Sequence, residues 1–118
     1  MFRPGRPQVE GGGLCIVCGV HLDELQQLMA DTYGLRDTER GVAATIAWLT
    51  EELGELAQAV RKGTTEPQLH ELGDVLAWLA SLSEQLGLSM SEAVQRYADG
   101  CPACTDTPCS CPDASIAT

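Results

Sequence analysis

Val42, Ile46, Leu49, Leu53, Leu56 and Val60 recur at alternating spacings of four and three residues. A strand cannot use that pattern, because its side chains alternate faces with a period of two; a helix places all six on one face. The stripe predicts a helix from about Thr38 to Lys62. Thr38 is placed to cap its start, with Glu39 in the first turn, and Arg61 and Lys62 suit the negative end of the helix dipole before Gly63 stops it. Leu72, Val75, Leu79, Leu82 and Leu86 repeat the pattern in a helix over about 66–86. Thr65 and Gln68 form a candidate capping box at its start, and Gly87 is its stop. Only a short turn around Gly63–Thr65 joins the two, and short connections make neighbouring helices antiparallel.

Two shorter helices complete the expected fold. Leu22, Leu25, Leu28 and Met29 share a face in a helix over 22–33 that Gly34 is expected to end. Ser89-Met90-Ser91-Glu92 is a capping box for a fourth helix reaching about Ala98. No strand pattern is found, so the fold class is all-α, four helices around a central antiparallel hairpin. The expected organisation is an N-terminal tail over 1–19, a helical domain over 20–99 and a Cys-rich tail over 100–118. Residues 1–13 are rich in Gly, Pro and Arg, which suits a mobile segment. Ala43, Ala44, Ala47, Ala57 and Ala59 widen the second helix's apolar side, and small residues allow close helix approach, so a homodimer or homotetramer is expected.

Composition limits the functions on offer. The 118 residues carry a net charge of −10, which argues against a duplex nucleic acid surface. No apolar run reaches the roughly 20 residues of a membrane span. Arg3 and Arg6 precede no apolar region of the kind a signal peptide needs, so the expected location is cytoplasmic.

The acids are the unusual feature. EELGE at 51–55 is echoed by HELGD at 70–74. On helices, Glu52 and Glu55 lie about 60° apart, as do Glu71 and Asp74, each pair flanking its apolar stripe; Glu51 points about 100° away from Glu52. Positions 52 and 74 are equidistant from Gly63, as are 55 and 71. An antiparallel pair turning there sets Glu52 against Asp74 and Glu55 against Glu71. The residues at i±4 supply no Lys or Arg to any of the four, and only His70 is in reach of Asp74. Converging carboxylates must be neutralised, and a hard divalent cation with oxygen ligands does so most simply. The alternative is a solvated acidic face. Trp48 and Trp78 are also equidistant from Gly63, one turn beyond Glu52 and Asp74. They are either a platform on which a base stacks or packing residues. Arg36 and Asp37 read as substrate-contacting loop residues or as an ordinary turn before the second helix.

E-E-x-x-E on one helix followed by E-x-x-D on the next resembles the MazG-like nucleotide pyrophosphohydrolases of the all-α NTP pyrophosphatase group. LDELQQLMADTYGLRDTERG before the motif and LGLSMSEAV after it are similar to the same family, so the likeness covers about Leu22–Tyr97. The resemblance implies Mg²⁺-dependent cleavage of a nucleoside triphosphate into a monophosphate and pyrophosphate. It makes Glu52, Glu55, Glu71 and Asp74 the Mg²⁺ ligands, with Glu52 or Glu55 free to accept a proton from water. Phosphoribosyl-ATP pyrophosphohydrolases share the architecture and are an alternative. Many relatives carry a Lys and an Asn after the fourth helix begins; here only Arg96 is basic. Phosphate binding then falls to Arg96, Arg61, Lys62 or Arg36, and a catalytically weak metal- or nucleotide-binding module is the alternative of a different class.

Six cysteines complete the motif set. Cys101, Cys104, Cys109 and Cys111 fall within eleven residues, and four thiolates suit tetrahedral Zn²⁺. Cys15-x2-Cys18 is a second knuckle. Either the tail is a self-contained four-cysteine site, or Cys15 and Cys18 join Cys101 and Cys104; an Fe–S cluster uses the same ligands.

Overall fold

The computed structural model describes residues 19–112, so the 1–13 segment and the Cys15–Cys18 knuckle lie outside the described residues. Four α-helices follow in order: α1 (Leu22–Arg40), α2 (Val42–Lys62), α3 (Thr65–Leu86) and the single turn α4 (Met90–Ala93), continued by a 3₁₀ turn over Val94–Tyr97. No strand occurs among the described residues. No helix there is long and apolar enough to cross a membrane.

α2 and α3 form the expected hairpin. The Trp48 and Trp78 rings stack with centroids 6.0 Å apart. Gln85 Nε2 donates to Thr45 Oγ1 at 2.7 Å, and Gln68 Nε2 reaches the Ala59 carbonyl at 3.4 Å. These pairs run in opposite order along the two helices, which makes them antiparallel about Gly63. Gly63 takes the left-handed conformation (φ 76°, ψ 15°) that ends α2, and Gly87 does the same for α3 (φ 67°, ψ 27°). At Gly87 the Leu88 N–H bonds the Ser83 carbonyl and the Gly87 N–H that of Glu84, a Schellman closure.

The first boundary differs from the expectation. α1 runs through Gly34 and turns at Gly41, so Arg36 and Asp37 are helical rather than loop residues. Thr38 caps nothing; it lies inside α1, where its hydroxyl donates to the Gly34 carbonyl at 2.9 Å. A helical Gly costs about 1 kcal/mol relative to Ala, and the extra turns of α1 bring in the Arg40–Asp37 pair and the Arg40–Trp78 contact against it. Gly41 has φ 83° and ψ 164°, a combination essentially confined to glycine. A Cβ there would meet nothing within 4 Å, so the demand is torsional. Two smaller corrections follow. α3 starts at Thr65, so Thr64 occupies the cap position with no side-chain cap, and Gln68 serves the cross-hairpin bond instead of a capping box. The Ser89 cap holds, its hydroxyl accepting from the Glu92 N–H at 3.1 Å, but regular α-helix ends at Ala93 rather than near Ala98.

Packing also departs from the stripes. On α2 the buried residues are Thr45 and Ala59, while Ile46, Leu53 and Val60 of the apolar stripe are exposed. Leu72, Leu79 and Leu86 on α3 are exposed as well. Helical phase sets these six on one side of the hairpin. α1 covers the other, where Ala77 and Ser81 of α3 meet it. On α1, Gln26 is buried rather than Leu28. Its amide donates to Glu84 Oε1 (2.7 Å) and the Leu88 carbonyl (2.6 Å) and accepts from the Met90 N–H (2.9 Å), pinning α1 to the α3–α4 corner.

Candidate functional site

The hairpin brings the acids together from both helices. Glu52 and Glu55 of α2 and Glu71 of α3 each place a carboxylate oxygen within 4.8 Å of the others. Asp74 does not join that trio at the same spacing. It groups with Glu71 and His70, and His70 Nε2 lies 3.3 Å from Asp74 Oδ2. Glu71 therefore belongs to both groups. Glu52 also feels the charges of Glu55, Asp74 and Glu71, so Asp74 stays close to the trio while the imidazole one turn away on α3 lies beside it. Glu51 is exposed, as its helical phase requires.

Electrostatics and hydrogen bonding agree on strain within this group. Glu52 Oε2 and Glu71 Oε2 are buried with no hydrogen-bond partner. The Glu52 carboxyl is pushed above its ordinary value of 4.5 by burial, then by Glu55, Asp74 and Glu71; a hydrogen bond with the Trp78 side chain opposes the rise. Buried acceptors without donors are costly, and hard oxygen ligands around one point suit a divalent cation such as Mg²⁺.

Beside the acids, α1 and α3 enclose a cleft of about 240 Å³. Met29, Tyr33, Arg36 and Arg40 line it from α1, with Asp74 and Trp78 among its α3 residues. Trp78 is engaged on two sides of its chemistry, by the Trp48 ring and by the Arg40 guanidinium 4.7 Å from its centroid. The two tryptophans thus pack on each other, leaving Trp48 half exposed. Arg40 also pairs with Asp37, whose side chain is only 5% exposed. Of the expected phosphate-binding cations, only Arg36 lies in this cleft. Arg61 and Lys62 are exposed at the end of α2 beside the hairpin turn. Arg96 stacks on Tyr97 and lines a separate cavity against the Cys-rich tail. Sequence reasoning passed over Arg40. Its signal was the i, i+3 spacing from Asp37, hidden by ending the first helix at Gly34.

The tail is folded around its cysteines. Cys101, Cys104, Cys109 and Cys111 are unbridged, and their sulfurs all lie within 4.8 Å of one another. Cys101 Sγ is 3.7 Å from Cys111 Sγ, and Cys104 Sγ is 3.9 Å from Cys109 Sγ. Backbone N–H groups of Asp106 and Ser110 lower the Cys104 thiol to about 5, and those of Cys104 and Ala103 lower Cys101. Gly100 (φ 104°) is required sterically as well as torsionally, since a Cβ would come within 2.5 Å of Thr107 Oγ1. The self-contained four-cysteine arrangement is therefore the one the described residues display, and it can hold a metal ion. The Cys15 and Cys18 alternative falls outside them.

Comparison with known proteins finds a family model, the MazG nucleotide pyrophosphohydrolase domain, matching residues 40–100. The matched span contains all four clustered acids and both tryptophans and ends just before Cys101. No curated protein matches the chain.

Proposed function

Because the chain belongs to the MazG nucleotide pyrophosphohydrolase domain family, we propose that it is a Mg²⁺-dependent nucleoside triphosphate pyrophosphohydrolase acting on NTPs or dNTPs. The observation that carries this reading is the acid group shared between α2 and α3, with its two buried, unpartnered carboxylate oxygens. Glu52, Glu55, Glu71 and Asp74 would hold the metal. Bound there, Mg²⁺ would offset phosphate charge and lower the pKa of a coordinated water. Glu52 and Glu55 are the catalytic carboxylates. Glu55 is the more exposed of the two, which supports it over Glu52 as the group that would take the proton of the attacking water. The water oxygen is added across the α–β anhydride, the bridging P–O bond breaks with its electron pair on the departing phosphate oxygen, and protons pass through the carboxylate to solvent. The products are a nucleoside monophosphate and pyrophosphate.

The exposed apolar side of the hairpin supports a homodimer or a tetrameric bundle. Ile46, Leu53, Val60, Leu72, Leu79 and Leu86 face away from α1, and a second copy presents the same stripe. Sedimentation at micromolar concentration should return a multimer; a monomer would contradict this. In the tail, Zn²⁺ is the proposed metal. Zn–S bonds of about 2.3 Å in a tetrahedron give sulfur–sulfur edges of about 3.8 Å, and the two measured edges are 3.7 and 3.9 Å. Reduced thiolates suit a cytoplasmic protein.

The test is pyrophosphate release from a panel of NTPs, dNTPs and phosphoribosyl-ATP with Mg²⁺, comparing the unaltered protein with Glu55→Gln. Metal-dependent release that falls about 10²–10⁴-fold in the variant is expected. Equal, negligible release from both would favour the second reading, a binding module that keeps the fold without turnover. The placement of Lys62 and Arg96 away from the cleft is the observation on that side.

A further inference from the structure

The cleft between α1 and α3 carries charges of both signs. Asp74, which connects to the acid group, and Arg36 and Arg40 of α1 line this one cleft. Arg36 precedes Arg40 by four residues on α1, so the two guanidiniums project from the same face one turn apart. Asp74 precedes Trp78 by four on α3, so the ring that Arg40 covers belongs to the residue one turn along from this acid.

Arg40 is held rather than free. The Trp78 ring centroid lies 4.7 Å from its Cζ, and buried Asp37 pairs with its Nη1. A guanidinium has five N–H donors in a rigid fork, and Asp37 is its one ion-pair partner among the described residues. Holding a cation this way removes the cost of ordering it when an anion arrives. Asp37 alone does not explain the arrangement, since an ion pair of this kind needs neither an open cleft nor a second arginine beside it.

We propose that Arg36 and Arg40 form a clamp for the two distal phosphates of the substrate, so that this cleft receives the pyrophosphate moiety and selects triphosphates over shorter nucleotides. This assignment rests on the pyrophosphohydrolase reading. A triphosphate brings more negative charge than a metal held by the acids would offset, and Arg96, the basic residue after α4, lines a different cavity. The clamp supplies one from α1 instead. Arg-to-phosphate forks are short, charge-assisted and directional, which Lys cannot reproduce. Trp48, half exposed beside Trp78, is left for the base.

Arg40→Lys and Arg36→Gln test the clamp. The first keeps a cation for Asp37; the second changes an exposed side chain, so at least one variant reports on a folded protein, checked by its melting curve. Two readouts are needed. In turnover, each variant should raise KM for the preferred NTP about 10- to 100-fold. In Mg²⁺-containing buffer without nucleotide, inorganic pyrophosphate should bind the unaltered protein and bind each variant more weakly by a similar factor, while nucleoside monophosphate affinity stays unchanged. If no NTP is hydrolysed but pyrophosphate binding follows this pattern, the activity reading fails and the anion clamp stands. If turnover is present and both variants keep their KM and pyrophosphate affinity, the clamp is overturned. It is equally overturned if the variants change preference among bases while pyrophosphate binding is untouched.

Discussion

Glu52→Gln should abolish turnover and, in metal-free buffer at neutral pH, raise the melting temperature. The two effects have one cause. Glu52 is held in a partly buried position beside Glu55, Asp74 and Glu71, and its carboxyl is raised above 4.5, chiefly by burial. A carboxyl with a higher pKa folded than unfolded makes the folded state the better proton binder, so stability falls as pH rises from about 4.5 through the raised value. Above that window the penalty is present in full; below the unfolded pKa it is absent. Gln removes the charge at nearly constant size. The variant should therefore gain over the unaltered protein at pH 7–8 and lose that advantage in acid. For a domain of this size each kcal/mol relieved appears as about 4–8 °C. Mg²⁺ should reverse the order, stabilising the unaltered protein and leaving the variant little changed. Pyrophosphate release should drop about 10²–10⁴-fold. A variant that is less stable than its parent at every pH would show that Glu52 serves packing rather than a charged site.

Stripping the tail metal should have the second-largest effect, confined to the C-terminal segment. Structural zinc contributes about 10–16 kcal/mol of apparent binding free energy in small cysteine sites, and the 101–112 segment gathers its four sulfurs within 4.8 Å of one another. Its internal backbone bonds include the Cys101 N–H to the Asp106 carbonyl and the Thr105 N–H to the Cys101 carbonyl. The purified protein should release about one zinc per chain when its thiols are titrated with a mercurial. Chelation should expose Cys101, Cys104, Cys109 and Cys111 to alkylation while helicity changes little, because α1, α2 and α3 carry most of the helix. Cys104→Ser should reproduce that state. A chain with no bound metal and uniformly slow thiol alkylation would contradict the assignment, and bound iron with visible absorbance would replace zinc by a cluster.

What the sequence shows of this fold depends on whether the signal is symmetric. The α2–α3 register was legible because Glu52, Glu55, Glu71, Asp74, Trp48 and Trp78 are mirrored about Gly63, so one turn residue determines every cross-hairpin neighbour. The Trp48–Trp78 stack follows from it directly. The end of α1 was not legible. Gly34 and Gly41 have the same local propensity, and the choice between them is made by tertiary contacts of Asp37 and Arg40 with residues distant in sequence. The buried side of α2 was not legible for a related reason. Its apolar stripe records every surface that avoids water, and in a single chain the residues buried on α2 are Thr45 and Ala59. Gln26 was invisible because a polar residue becomes a core residue only when three partners from the α3–α4 corner surround it. In the tail, spacing identified four thiols within reach of one ion, and the fold brought those four to one point. Asp74 shows the limit of register: helical geometry sets it at the right level, while its Oδ2 also lies 3.3 Å from the His70 imidazole of its own helix.

The shared acid group is the centre of this account, and binding of a paramagnetic ion measures it without relying on turnover. Mn²⁺ titrated into the unaltered protein, with its electron paramagnetic resonance signal recorded and Mg²⁺ added as competitor, should lose free-ion signal in proportion to protein. Mg²⁺ should restore that signal, and Glu71→Gln, which removes a ligand charge common to both carboxylate groups, should weaken binding severalfold or more. Free-ion signal that is indifferent to the protein, or binding unchanged by Glu71→Gln, would mean that these helices converge on no cation.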